Sequence, residues 1–346
     1  MALFKKFFKN VIHDRDSEDD TVTVKGKPKP KYYGTVTPYP NFSASSDASV
    51  LQAAIENRDV DEDVIISVLV KRNNEQRQKI KVVYEASTGE NLEKALKSAL
   101  RSDLEDVSLA LLMMPANFDA YLLRKATKGL GTHEDVLVEI LATRSNQEIL
   151  ELTRVFKEEY GTELEDVIKD ETSGDFTNAL LAMLKANKSE STEVDMDLAR
   201  RDAETLFEAG ENTKGVNASA FIDILTSRSG PQLSKTFQQY ACISDVTLPK
   251  ALGTEMKGDI EDCLLDIVKC AWNKPAFFAE KLHLAMKGHG TCEETLIRVL
   301  VSRSEVDLKR ILEEYRAMYD DTLQEHILKD TEGHYRDVLL GLCGPH

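Results

Sequence analysis

The chain is predicted to be all-α, built as a tandem array of four similar units, and three observations carry that prediction. Arg72, Arg144, Arg228 and Arg303 are each followed twelve residues later by an aromatic, at Tyr84, Phe156, Tyr240 and Tyr315. The text around them recurs as Lys71-Arg72-Asn73-Asn74, Thr143-Arg144-Ser145-Asn146, Ser227-Arg228-Ser229-Gly230 and Ser302-Arg303-Ser304-Glu305. Inside the units the period is helical: Leu308, Ile311, Leu312 and Tyr315 fall at i, i+3, i+4 and i+7, and Leu233, Phe237 and Tyr240 repeat the spacing. No alternating run is long enough to demand a sheet. Separations of 72, 84 and 75 between the arginines leave room for four or five short helices per unit and one insertion between the second and third.

Residues 1–41 come first and differ from the rest. Leu3, Phe4, Phe7, Phe8, Val11 and Ile12 form an apolar stripe at helical spacing beside Lys5, Lys6 and Lys9. Such a helix suits its own core, a partner's groove or a membrane surface. Asp14 to Asp20 is acidic, and residues 25–41 carry four lysines and prolines 28, 30, 38 and 40, which reads as an extended connector. Unit 1 then covers 42–113, unit 2 covers 114–186, a polar linker occupies 187–196, unit 3 covers 197–272 and unit 4 covers 273–346.

Within units 2 and 4 one loop repeats. Thr127-Lys128-Gly129-Leu130-Gly131-Thr132 returns as Met286-Lys287-Gly288-His289-Gly290-Thr291, and 42 residues after each first glycine stands an acid, Glu171 or Asp330, three residues before another glycine. Unit 3 holds a degenerate copy, Lys214-Gly215-Val216-Asn217, with Glu255 at a spacing of 40. Glycines let successive carbonyls turn toward one centre, because they tolerate backbone angles that a side chain forbids. Calcium takes six to eight oxygens at about 2.3–2.6 Å in loose geometry. The carbonyls of 127, 129 and 131 with the Glu171 carboxylate supply four or five, which leaves positions for water or an outside phosphate. Thr132 with Asp135 and Thr291 with Glu294 are expected to cap the helix that follows each loop.

Composition narrows the function. With 42% hydrophobic residues, 17 glycines and 9 prolines in 346, the chain is expected to be ordered. No stretch is apolar enough to cross a membrane, and the start is too soon charged for a secretory signal, so cytoplasmic residence is expected; a monomer in solution is a separate expectation. The net charge of −16 argues against a general nucleic-acid binder. It also opposes anionic lipid unless bound calcium reverses the local sign. Five cysteines, at 242, 263, 270, 292 and 343, are too few and uneven for a disulfide scaffold, and Cys263 and Cys270 read as buried thiols.

Other site types fail on their own requirements. Asp14 to Lys25 alternates acids like an EF-hand but has Asp19 where the loop needs glycine and Lys25 where it needs glutamate. Gly210 to Gly215 begins like a phosphate loop but continues Val216-Asn217. No His-Glu-x-x-His pair and no Gly-x-Ser-x-Gly elbow is present, so no enzyme is expected. The runner-up is a calcium-independent helical scaffold.

In these loops, distant acids and arginine-bearing helix starts, residues 42–346 resemble the annexin family. The resemblance implies four repeats of about five helices each in a slightly curved disc, with calcium loops on the convex face bridging the protein to acidic phospholipid. It implies a calcium site at Thr127, Gly129, Gly131 and Glu171, with Thr132 and Glu134 as an accessory site. The fourth repeat offers Met286, Gly288, Gly290 and Asp330, with Thr291 and Glu293 beside them. The third resembles the family's variant loop through Gly210, Thr213, Gly215 and Glu255. The first departs most: Asn57 to Asp61 replaces Lys-Gly-x-Gly and Ala99 replaces the acid, which leaves Asp59, Val60 and Glu105 for a weak accessory site. The family usually carries methionine or leucine where Thr127 stands, so an apolar tip is expected to be lost there. Lys128 and Lys287 would lie near lipid, and Leu3, Phe4, Phe7, Phe8 and Val11 would engage a small dimeric EF-hand protein or a second membrane.

Overall fold

The computed structural model describes residues 31–211 and 216–345. The N-terminal stripe from Leu3 to Val11, and Thr213 and Gly215, lie outside the described residues. The first repeat contains α1 (Ala44–Glu56), α2 (Glu62–Val70), α3 (Asn74–Thr88), α4 (Leu92–Ala99) and α5 (Ser102–Leu112). The second contains α6 (Pro115–Thr127), α7 (Glu134–Thr143), α8 (Asn146–Tyr160), α9 (Leu164–Glu171) and α10 (Gly174–Leu184). The third supplies α11 (Met196–Ala209), α12 (Ala218–Ser227), α13 (Gly230–Ile243), α14 (Leu248–Glu255) and the first half of α15 (Asp259–Met286). That helix breaks at Asn273 (φ −159°, ψ 96°), whose Oδ1 accepts the Ala276 N–H at 2.9 Å and so starts its second half. The fourth repeat continues with α16 (Glu293–Arg303), α17 (Leu308–Tyr319), α18 (Leu323–Asp330) and α19 (Gly333–Leu342). No helix among the described residues is long and apolar enough to cross a membrane.

The repeated arginine and aromatic turn out to be architectural. Tyr84, Phe156, Tyr240 and Tyr315 are all buried in the core. Arg144 chelates Asp119 through Nε and Nη2 at 2.9 and 2.8 Å, and Arg72 with Asp47 and Arg228 with Asp202 do the same. Burial works to discharge the Arg144 guanidinium, but the charge and hydrogen bonds of Asp119 override it and raise the pKa above the ordinary arginine value. Removing one partner of such a buried pair costs about 3–5 kcal/mol. The fourth repeat solves the problem differently. Phe278 lies beneath Arg303, with the guanidinium carbon 4.6 Å from the ring centroid, and Arg303 turns to Asp307 at 2.7 and 2.8 Å instead.

Helix ends follow local chemistry. Asn73/Gln76, Ser145/Glu148 and Thr322/Glu325 form reciprocal capping boxes at the starts of α3, α8 and α18. Gly89, Gly161 and Asp320 end α3, α8 and α17 in the left-handed conformation.

Two compact units emerge, one comprising residues up to Pro115 with those from Phe278 onward, the other Ala116–Phe277. The first unit therefore joins the first repeat to the fourth, across the whole length of the sequence. Glu305 Oε2 accepts the Asn74 N–H at 3.0 Å there, and α19 packs on α2 and α5. A Cβ on Gly341 would come within 2.9 Å of Val70 Cγ2, so only glycine permits that approach. The connector over 31–41 is extended but not loose. Thr35 and Val36 N–H groups donate to Ser304 O, Lys309 N–H to Tyr33 O, and Gln76 exchanges two hydrogen bonds with the Tyr39 backbone. In the second unit Gln232 reads the Asp195 backbone in the same way, and Ser189 N–H donates to Ser227 O, so the 187–196 linker is strapped down as well.

Candidate calcium loops

Each repeat turns from its first to its second helix through a loop closed by one backbone hydrogen bond. In repeats 1, 2 and 4 it runs from Asp61 to Ala54, His133 to Ala126 and Cys292 to Ala285, at 3.0, 2.9 and 2.8 Å. In repeat 3 Asn217 reaches Ala209 at 2.9 Å, which makes that loop one residue longer. The second and fourth loops share their backbone: φ is +114° and +86° at Gly129 and Gly131, and +108° and +92° at Gly288 and Gly290. Side chains rarely adopt such angles, and a Cβ at any of the four would meet nothing within 4 Å. The glycines are there for conformation, not for lack of space. Among the described residues no hydrogen bond ends on the carbonyls of Thr127, Gly129, Gly131, Met286, Gly288 or Gly290. Unpaired carbonyls at a surface are free to serve as ligands.

The distant acids arrive by equivalent routes. Glu171, Glu255 and Asp330 are each the last residue of an eight-residue helix, α9, α14 and α18, and Ala99 ends α4 in the same place. A carboxylate at a helix C-terminus faces the negative end of the dipole, an unfavourable position unless a cation shares it. Thr132 Oγ1 donates to Glu171 Oε2 at 3.2 Å, and Thr291 Oγ1 to Asp330 Oδ2 at 3.4 Å, so loop and acid are already in register.

Two expectations are corrected by this geometry. Thr132 and Thr291 do not cap the following helices: α7 and α16 begin one residue later, after His133 and Cys292, without a side-chain cap, because both hydroxyls are committed to the distant acids. Nor is an apolar tip lost at Thr127. That residue is buried, its hydroxyl donating to Leu123 O at 2.8 Å, and Met286 is buried too. The tips are Leu130, fully exposed, and His289.

Glu134 and Glu293, the first residues of α7 and α16, are half-buried. Glu293 Oε2 is buried without a hydrogen-bond partner, and burial, then the charges of Asp103 and Asp330, raise its pKa above the usual glutamate range. Asp103 comes from the first repeat, at the start of α5, and sequence reasoning missed it. In the fold Asp103, Asp175 and Asp259 each follow a residue at positive φ, namely Ser102, Gly174 and Gly258. Tyr335, buried with its hydroxyl unpartnered, lines the same depression.

The remaining positions are less assembled. Gly210 ends α11 at φ −111°, and Glu211 beside it is held by hydrogen bonds from Tyr240 and Ser244 Oγ, the latter at 2.7 Å. Glu255 occupies the acid position. In repeat 1, Asp59 and Val60 lie between α1 and α2 and Glu105 in the first turn of α5, with no residue at positive φ from 57 to 61. Lys128 and Lys287 are exposed beside the tips.

Sequence and fold comparisons converge on one group. The family model described as Annexin matches residues 46–111, 118–183, 201–267 and 277–342. Human Annexin A1 is 49% identical over 344 residues, covering 99% of each chain. The solved structure of Annexin III superposes with a TM-score of 0.89 at 44% identity, covering 91% of this chain and 98% of that one. Chicken Annexin V gives a TM-score of 0.85 at 42% identity, covering 91% and 99%.

Proposed function

The chain belongs to the annexin family, whose members bind phospholipid membranes peripherally, calcium-dependently and without catalysis, and we propose that it does so chiefly through its second and fourth loops. The observation that carries this assignment is the coincidence of unpaired carbonyls on positive-φ glycines with a helix-terminal carboxylate held to each loop by a threonine. Thr127, Gly129, Gly131 and Glu171 form one ligand set, and Met286, Gly288, Gly290 and Asp330 the other. Calcium bound there would supply open coordination positions to phosphoryl or carboxyl oxygens of acidic lipid.

The chain's own groups prepare that encounter. Thr132 and Thr291 orient the acids. The orphaned Glu293 oxygen, and Glu134 in the second repeat, offer accessory ligands beside them. Exposed Lys128 and Lys287 add attraction of about 1 kcal/mol apiece near an anionic surface. Gly210 and Glu255, with Thr213 and Gly215, provide a third and weaker site. Asp59, Val60 and Glu105 provide at most an accessory one. Several weak sites meeting one surface raise the overall affinity steeply. The apolar stripe Leu3, Phe4, Phe7, Phe8 and Val11 serves as the second contact, taken up by a small dimeric EF-hand protein or by another membrane. Residues 33–39 are strapped onto the fourth and first repeats.

Sedimentation with phosphatidylserine/phosphatidylcholine vesicles across a calcium titration tests the reading. A Glu171→Ala/Asp330→Ala double variant is expected to bind only at raised calcium. Binding that ignores calcium, or that the double variant leaves unmoved, would remove these loops from the mechanism.

A further inference from the structure

Between the second and third repeats, inside the second compact unit, the linker carries one lysine into the fold. Asn146 Nδ2 donates to the Lys188 carbonyl at 2.8 Å and Asn146 Oδ1 accepts the Lys188 N–H at 3.2 Å, while the next residue, Ser189, donates its N–H to Ser227 O at 2.8 Å. The Lys188 side chain therefore springs from a fixed root. It lines a cavity of about 200 Å³ together with Cys270 of α15, which is buried. Exposed Ser189 and Glu190 line the same cavity, so small solutes reach it from the surface.

Among the described residues no carboxylate pairs with the Lys188 amine, and Glu190 Oε1 accepts from Asn146 Nδ2 at 3.1 Å instead. Burial lowers the Lys188 pKa below the ordinary lysine value, and the charge of Cys270 opposes the shift. That coupling is mutual, since an ammonium beside a thiol favours the thiolate, the form that oxidants attack. The same lysine can thus activate the sulfur while protonated and attack it once neutral.

We propose that Lys188 and Cys270 form a reversible sulfenamide cross-link when the protein meets hydrogen peroxide. The thiolate sulfur attacks one peroxide oxygen, the O–O bond breaks and the departing hydroxide takes a proton, which leaves a sulfenic acid and water. Sulfur loses two electrons and peroxide gains them. The neutral Lys188 amine then attacks that sulfur: the S–N bond forms, the S–O bond breaks, and hydroxide leaves with a proton of the amine as a second water. Two equivalents of an external thiol reverse the step, returning amine and thiol and leaving an external disulfide. Geometry restricts the competing fate. Cys263 lies seven residues back on α15, and at 1.5 Å per residue the two Cα atoms stand about 10.5 Å apart, beyond the roughly 7 Å that a disulfide spans. The amine that shares the cavity is the nucleophile left to Cys270, and the link ties the 187–196 linker to α15.

Peroxide titration of the full chain tests the site, in a Cys242→Ser/Cys292→Ser background that removes the exposed thiols. Peroxide is removed with catalase, remaining thiols are alkylated, and the digest is read by mass spectrometry. The expected product joins the Lys188 and Cys270 peptides, is lighter than their sum by two hydrogens, and disappears with dithiothreitol. In Lys188→Arg the guanidinium keeps the charge but stays protonated, so the product should be absent. Without the amine more sulfenic acid proceeds to sulfinic acid, and the Cys270 thiol recovered after reduction should fall about fivefold. Asn146 grips backbone rather than side chain at 188, so the reduced parent and Lys188→Arg should melt together. Cys270 that stays reduced, that reaches sulfinic acid equally in parent and Lys188→Arg, or that pairs with another cysteine would overturn the assignment.

Discussion

Replacing Gly129 and Gly288 together by alanine isolates what the loop backbone contributes. A Cβ at either position meets nothing within 4 Å, so the whole effect is torsional. A left-handed backbone costs an ordinary residue about 1–2 kcal/mol, and φ values of +114° and +108° lie beyond the centre of that well, which makes the figure a lower bound. Each loop then relaxes away from the conformation that aims its carbonyls, and ligand binding must restore it. At about 1.4 kcal/mol per tenfold, the calcium demand of each loop rises about 5- to 30-fold. Gly161→Ala is the matched control: its φ is +68°, its Cβ is equally unopposed, and it ends α8 rather than a loop. The assay is the calcium midpoint of vesicle sedimentation, with urea unfolding alongside. Both changes should lower stability, and only the loop change should move the midpoint. Equal midpoints for the loop variant and the parent chain, or an equal shift in Gly161→Ala, would refute the argument that these glycines exist to aim ligands.

Two further expectations follow from single residues. Leu130, the fully exposed tip of the second loop, gains from contact with acyl chains; burying a leucine is worth about 1.5–3 kcal/mol. At half immersion Leu130→Ser should reduce vesicle partition about 4- to 13-fold at saturating calcium, and an unchanged partition would place the tip above the lipid. Glu293 titrates above the usual glutamate range because of burial and then the charges of Asp103 and Asp330. Its ionised form is therefore disfavoured in the calcium-free fold, so its contribution to stability is fully present below the unfolded pKa and is lost as pH rises through the folded one. Glu293→Gln should flatten that slope in calcium-free urea titrations between pH 4 and 7 and raise calcium demand; a steeper slope would contradict the sign.

The loops were legible in the sequence because each requirement leaves a local mark. Backbone angles such as those at Gly129 and Gly288 favour glycine, and the three helices between each loop and its acid, spanning 134–171 and 293–330, fix the 42-residue interval. The helix period and the repeated arginine gave the array. What escaped depended on contacts that residue spacing does not encode. The threonine hydroxyls could have capped the next helix or reached the acid 39 residues ahead, and only the folded chain shows the second. Thr127 reads as a tip until the end of α6 turns it inward. Asp103 joins Asp330 and Glu293 because the first repeat shares a compact unit with the fourth, a pairing of chain ends that a linear reading of the repeats does not reveal.

The placement of these acids also argues for why the sites stay open. Glu171, Glu255 and Asp330 sit at the wrong ends of their helices, each against about 0.3–1 kcal/mol of dipole preference. A chain selected for stability alone would put a lysine there, as the negative helix end favours. Retaining a carboxylate at three ends, and an unpartnered Glu293 oxygen near one of them, keeps the calcium-free fold slightly disfavoured at its loops. A cation bound there would relieve those penalties together with its own desolvation, so part of the binding energy would be stored in the protein beforehand. Because the relief is electrostatic and confined to loop surfaces, calcium should raise the Tm in proportion to the loops filled, and Glu171→Ala should raise the calcium-free Tm while shrinking the calcium increment. A calcium-free Tm that falls in Glu171→Ala would mean that the carboxylate stabilises the empty loop through Thr132 more than the helix end opposes it.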